Sequence, residues 1–338
     1  MPIATLLTGF LPALLGVVLG SIWLSRALTS LSGRIPIQPG LMGLITALGA
    51  DSPEITSAVT ALVAGEHEIG LGVVLGSNLF NLAALLGLSG VLAGWIALPR
   101  ASLVFNGAIS LAATGVIALL IYRAIPPAWA LGLLMAILAI YILLLSLPAD
   151  RARRIGLPAR LASPLARLLG AVHEHASRKA ASTRSGQPVS GWWLAFQVTA
   201  ALLFIVEGSM GIVHTALPIA EAAGIPRSLV GALILAALTG IPNAYTAAQL
   251  AWRKEGAAVV SETLNSNTIN LVVGISLPVL FFGMHAEAGI AVLEVWWLLG
   301  LTALAVLLPA LAGAITRRTG IVIIGLYLAF AAVRIALQ

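Results

Sequence analysis

The sequence predicts an all-α integral membrane protein: about ten transmembrane helices arranged as two five-helix repeats of inverted topology. Three observations lead there. The 338 residues are 60% hydrophobic and only 9% charged, with a mean hydropathy of +1.05, whereas a soluble domain carries about a quarter charged residues. The apolar residues gather into stretches of roughly 20, the length that crosses a hydrocarbon core as a helix. Unusual residues also recur at one constant offset between the two halves of the chain. With no cysteine present, disulfide frameworks, thiolate metal sites and cysteine nucleophiles are all excluded.

The apolar stretches lie near 4–25, 37–64, 69–94, 101–122, 128–147, 191–215, 226–252, 256–282, 289–312 and 319–337. None shows the alternating polarity of a membrane barrel, so helices are what satisfies the backbone in lipid. The first stretch has no basic residue before it and no small-residue cleavage site, and reads as a true span rather than a signal peptide. Fifteen of the 18 Lys and Arg fall on one side of this arrangement, including Arg26, Arg34, Arg100, Arg253, Lys254, Arg317 and Arg318. Arg123, Arg227 and Arg334 fall on the other. Positively charged loops stay inside, so both termini are expected outside and the 148–190 segment, with eight of the basic residues, in the cytoplasm. Trp95, Trp129, Trp192, Trp193 and Trp252 fall near span ends, as an interfacial aromatic belt requires.

The halves are residues 1–147 and 191–338, joined by the basic linker 148–190, expected to be partly helical over 159–180 and to lie on anionic lipid. At an offset of 189, Pro53 matches Pro242, Ser77 matches Ser266, Asn78 matches Asn267 and Asn81 matches Asn270. Glu66 matches Glu255, and Gly20 meets Ser209. Five spans per half make the second half enter the membrane from the opposite side, an arrangement used by secondary transporters with a site near the midplane. Interrupted spans at corresponding positions point to that site. Here they are Gly49-Ala50-Asp51-Ser52-Pro53-Glu54 and Leu238-Thr239-Gly240-Ile241-Pro242-Asn243.

A charge inside a membrane helix costs on the order of 3 kcal/mol and marks function by default. Asp51 and Glu54, three residues apart, share one helical face. Pro53 is expected to break the helix over 50–53, freeing carbonyls near Ala50 and starting a half-helix beside Glu54. Carboxylates with freed carbonyls form a hard-oxygen cage suited to Ca²⁺ or Na⁺. Ser77 and Asn81, four apart, add a hydroxyl and an amide oxygen, as do Ser266 and Asn270 in the other half.

Gly49 to Glu54 and Gly72 to Asn81 resemble the first α-repeat of the Ca²⁺/cation antiporter superfamily, the membrane region of sodium/calcium exchangers. Its pattern is approximately G-T-S-L-P-E followed by G-x-x-x-G-S-N-x-F-N. The resemblance implies an antiporter exchanging Ca²⁺ for Na⁺ or H⁺ by alternating access, with no organic cofactor and no enzymatic activity. It makes Glu54 the central carboxylate, flanked by Ser77 and Asn81, with Thr239 and Ser266 at the second repeat's motif threonine and serine. The chain departs from the pattern at Ala50 and Asp51, which stand for its threonine and serine. It departs again at Asn243, which stands for the second glutamate, and at Asn265, which stands for a glycine. Asp51 is therefore expected to compensate for the charge lost at Asn243. Two acids this close also repel, which favours coupling to protons.

The candidate ion ligands are thus Asp51, Glu54, Ser77, Asn81, Thr239, Asn243, Ser266 and Asn270. Glu207 in the sixth span suits a proton-handling or a structural role, Glu262 reaches toward the pathway, and Glu294 beside Trp296 suits packing. His173-Glu174-His175 puts its histidines on different helical faces and reads as a solvated loop, and no phosphate loop supports ATP drive. The expected partners are inorganic cations and the lipid bilayer of the cell membrane, with no nucleic acid. The alternatives are the same fold handling another cation, or a scaffold or sensor that no longer transports.

Overall fold

The computed structural model describes residues 4, 6–32, 39–146, 190–282 and 288–337. Apart from Ser190, the linker lies outside them, with its expected helix, His173-Glu174-His175 and Arg34. A π-helical turn, Leu6–Phe10, leads into α1 (Leu11–Ser32). There follow α2 (Pro39–Val63), α3 (His67–Asn81), a π segment Leu82–Gly87 and α4 (Leu88–Ala93), then α5 (Arg100–Ile121) and α6 (Pro127–Ser146). The second half comprises α7 (Gly191–Ala222), α8 (Arg227–Leu229), a π segment Val230–Leu235, α9 (Ala236–Thr239), α10 (Ile241–Trp252) and α11 (Gly256–Ile269). It closes with a π segment Asn270–Ser276, α12 (Leu277–Phe282), α13 (Ala288–Ala312) and α14 (Arg317–Ala336).

Every expected span is helical, but the count of ten membrane crossings is not reached. Among the described residues seven helices are long and apolar enough to cross a membrane, or eight if the bent pair Arg227–Thr239 and Ile241–Trp252 is one span. The helix α2 is one that falls outside the measure, because Asp51, Ser52 and Glu54 dilute its apolar content.

Burial sorts the helices. The His67–Ala93 rod is 94% enclosed over its most apolar stretch, against 29% for Thr8–Leu28 and 33% for α7. So α3 lies at the centre, while α1 and α7 pack on each other at the periphery. Their contact is lined by small residues: a Cβ on Gly208 would sit 2.7 Å from the Ala13 carbonyl, and one on Gly20 would sit 3.0 Å from that of Ala201. Without a hydrophobic force between helices in lipid, such close approach supplies the association. At 1.5 Å per residue, the 32 residues of α7 extend about 48 Å, so α7 must tilt or protrude from a core about 30 Å thick.

Glycine also sets the central crossing. A Cβ on Gly76 would lie 2.1 Å from the Ala232 carbonyl, and one on Gly231 would lie 2.5 Å from that of Ile69. Thus α3 presses directly on the 230–235 π segment of the other half.

Two short strands, β1 (Trp95–Ala97) and β2 (Ala314–Thr316), interrupt the all-helical expectation. Each follows a glycine with positive φ (Gly94, 72°; Gly313, 68°). They pair antiparallel, Trp95 opposite Thr316, and the Arg317 N–H donates to the Gly94 carbonyl at 2.8 Å. Two extended connectors side by side thereby satisfy backbone groups that neither could satisfy alone.

Candidate ion-binding site

Pro53 does not break its helix. α2 runs unbroken through it, although proline removes the N–H that would serve the carbonyl of Gly49. That carbonyl is taken instead by two hydroxyls, Ser52 Oγ at 2.7 Å and Ser21 Oγ at 3.3 Å, and Ser21 also reaches the Ala50 carbonyl at 3.3 Å. The freed carbonyls expected to line a cage are thus occupied, and no half-helix begins beside Glu54. The other half does bend. Its rod turns by 44° between Thr239 and Ile241, through Gly240 at φ −79° and ψ 0°. The Phe80 ring packs against the bend: a Cβ on Gly240 would lie 2.5 Å from it.

Asp51 and Glu54 are both fully buried, and side chains from both halves converge on them. The Asn243 amide donates to Asp51 Oδ1 at 3.0 Å and to Glu54 Oε1 at 3.2 Å. Ser266 Oγ donates to Asp51 Oδ1 at 2.7 Å. Asn270 donates to Glu54 Oε2 at 2.6 Å. Asn81 donates to both Glu54 oxygens at 3.2 Å and to Ser266 Oγ at 3.0 Å. Six expected ligands therefore form one hydrogen-bonded cluster. Ser77 and Thr239, also buried, turn their hydroxyls to carbonyls of their own helical turns, Val74 at 3.1 Å and Leu235 at 2.8 Å.

Four buried oxygens in this cluster have no hydrogen-bond partner: Asp51 Oδ2 and the amide oxygens of Asn81, Asn243 and Asn270. A buried acceptor left unpaired costs about 1–3 kcal/mol, so four together mark a place built to hold something other than the protein's own donors. The chemistry of the set, two carboxylates with neutral oxygens, is that of a hard cation site. Both π segments that follow the motif begin at its last asparagine, Leu82–Gly87 after Asn81 and Asn270–Ser276 at Asn270. Such bulges frequently accompany functional sites.

Residues not singled out as ligands from the sequence surround this cluster. Tyr141 lies between the amide oxygens of Asn106, at 2.7 Å, and Asn265. Asn106 donates to the Ser102 carbonyl at 2.8 Å, and Asn265 to Ser261 Oγ at 3.1 Å. The asparagine that replaces a motif glycine was the available signal. Asn267 donates to Ser110 Oγ at 2.7 Å and Thr302 Oγ1 at 3.2 Å, tying α11 to α5 and α13.

The three outlying acids resolve differently. Glu262 is buried one turn before Ser266 in α11. Glu207 is exposed on the outer face of α7, away from the cluster. Glu294 does not simply pack: its carboxylate accepts from Arg334 Nε at 3.0 Å, with both residues buried. Arg334, counted from the sequence among the charges of a membrane face, is wholly enclosed, because α13 brings this carboxylate to it. At the bundle end opposite the strand pair, Arg227 bridges Glu66 of one half at 3.1 Å and Glu221 of the other at 3.0 Å. These bridges are exposed, so solvent screens them and they add little to stability.

A family model described as sodium/calcium exchanger protein matches residues 5–148 and 193–336. A 54-residue segment is 39% identical to the antiporter-named protein CaxA of Alkalimonas amylolytica, covering 16% of this chain and 17% of that relative's length. Among solved structures, the H⁺/Ca²⁺ exchanger CAX superimposes with a TM-score of 0.69 at 16% identity, over 98% of this chain and 86% of that one. The sodium-calcium exchanger NCX_Mj, in crystals soaked with Na⁺ and Sr²⁺, superimposes at 0.63 and 20% identity, over 98% and 99%. At these identities the two structures speak for the fold alone.

Proposed function

We propose that this chain, which belongs to the sodium/calcium exchanger family, is a secondary antiporter that exchanges Ca²⁺ for Na⁺ or H⁺ by alternating access. One observation carries the reading: two buried carboxylates, ringed by side chains from both halves, with four buried oxygens left unpartnered. A dehydrated divalent ion needs nearby negative charge, and Asp51 and Glu54 supply two, so Asp51 takes over the charge that Asn243 no longer brings. Ser266 adds its hydroxyl oxygen. Asn81, Asn243 and Asn270 can each present either face of the amide, since a half-turn of the side-chain amide exchanges NH₂ for oxygen. The NH₂ faces hold the carboxylates as seen here, and the oxygen faces complete the coordination of a cation. Ser77 and Thr239 stand beside the cage as further hydroxyls, available once they leave their own turns.

In this reading residues 1–147 and 191–338 are the two repeats, and 148–190 is a cytoplasmic linker of a multi-pass protein of the cell membrane with both termini outside. The peripheral pair α1 and α7, joined through glycines, rocks against the core to expose the cage to each side in turn. ⁴⁵Ca²⁺ uptake into proteoliposomes under an imposed Na⁺ gradient, and separately a pH gradient, tests it. Gradient-driven uptake that vanishes in Glu54→Gln is expected, and the effective gradient names the coupling ion. A folded, inserted protein with no uptake under either gradient overturns the reading in favour of another cation or a non-transporting role.

A further inference from the structure

We propose that Glu262 is a further cation ligand, a station between the Arg253–Lys254 end of the bundle and the Asp51–Glu54 cage; this builds on the exchange reading above. Glu262 lies one turn before Ser266 in α11, and the i, i+4 spacing places both on one helical face. Ser266 is the residue that donates to Asp51. Glu262 is itself only 5% exposed. Asp51 meanwhile keeps one buried carboxylate oxygen without a partner.

The fold does not require an acid there. At the offset of 189 that relates the halves, the counterpart of Glu262 is Val73, fully buried. The same contrast holds along the helix: Ser261 and Asn265 correspond to Gly72 and Gly76. In α3 those glycines close the helix against the 230–235 backbone, with no room for a side chain. In α11 polar side chains stand instead, flanked by the chain Asn265, Tyr141, Asn106 and Ser102. The counterparts of Tyr141, Asn106 and Ser102 are Phe330, Val295 and Ala291, all apolar and buried. Polarity therefore stands at only one of the two places that the repeat relates, along the helix that leads from the basic turn to the cage. An acid inside a membrane helix, at a position where its counterpart is valine, has its explanation in the traffic along that stripe.

Glu262 is a station rather than a third member of the cage. Among the described residues no three acidic or histidine side chains lie close enough to hold one metal ion together.

The chain has no cysteine, so single-cysteine variants can be read without background. Full-length Glu262→Cys and Val73→Cys, reconstituted in vesicles, are exposed from the linker side to a membrane-impermeant cationic methanethiosulfonate. Modification at 262, slowed by Ca²⁺, with none at 73 is expected. In parallel, Glu262→Gln is expected to raise the Ca²⁺ half-saturation about tenfold from the linker side, the scale of one lost charge-assisted contact, and to leave the opposite side unchanged. A purely structural role would shift both sides together. Equal shifts, no shift, or no Ca²⁺-sensitive labelling at 262 overturn the proposal while wild-type exchange stands. Wild-type vesicles without gradient-driven uptake overturn the exchange reading itself, and the station with it.

Discussion

The two spans that carry the matched prolines behave differently. α2 passes straight through Pro53, while the rod containing Pro242 bends by 44°. The difference lies in what serves the orphaned carbonyl. In the first half Ser52 and Ser21 donate to Gly49. At the offset of 189 those serines become Ile241 and Met210, which have no hydroxyl to give, and Gly240 relaxes into the bend. A proline in a membrane helix is thus a latent kink, and neighbouring hydroxyls decide whether it is expressed.

The comparison can be broken most severely at the two cage carboxylates, Asp51 and Glu54, both of which lie in the first half. Glu54→Gln is expected to abolish uptake, with an effect of at least about 100-fold, and Asp51→Asn to abolish divalent transport. Neutralising either carboxylate removes half of the negative charge that offsets the dehydration of a divalent ion. Retained Ca²⁺ transport in Asp51→Asn would mean that Asp51 does not replace the charge missing at Asn243.

The second half has its own charge pair at the counterparts of Phe105 and Leu145, namely Glu294 and Arg334. Glu294→Gln leaves Arg334 buried without a carboxylate, and the expected loss is again about 3–5 kcal/mol, read as a lowered melting temperature in detergent. An unchanged melting temperature would show the pair to be dispensable for stability. At the bend itself, Gly240→Ala drives a methyl into Phe80 and is expected to cost about 1–3 kcal/mol by overpacking. Phe80→Leu in the same chain should recover most of it, and a failure of rescue would mean that the bend, not the ring, sets the tolerance. The mildest intervention is Ser52→Ala, which removes one of two hydroxyls from the Gly49 carbonyl for about 0.5–1.5 kcal/mol. Adding Ser21→Ala should bring the first half toward the bent geometry, visible as a changed distance between spin labels on either side of Pro53.

These contrasts also show what a sequence discloses. The helicity of the apolar stretches, the repeat offset and the residues of which six meet in one cluster were legible, because hydropathy and matched polar residues follow local rules. The straightness of α2 was not legible, since it depends on Ser21, a residue far from Pro53 in the chain. Arg334 read as a charge at a membrane face until α13 placed Glu294 against it. The strand pair between 95–97 and 314–316 joins connectors more than two hundred residues apart, beyond any local pattern. Nothing local distinguishes Tyr141 within its apolar stretch; only the fold sets it between two asparagines.

The bend confined to one half has an energetic consequence. On the alternating-access reading proposed above, identical repeats could swap shapes and interconvert inward- and outward-open forms at equal free energy, and the empty protein would spend half its time in each. With one proline held straight by hydroxyls and the other released, the two forms are not degenerate, and the resting population leans to one side. Such a lean leaves the overall equilibrium between the gradients untouched, since no carrier alters that. It does decide which face of the membrane more often meets an open site.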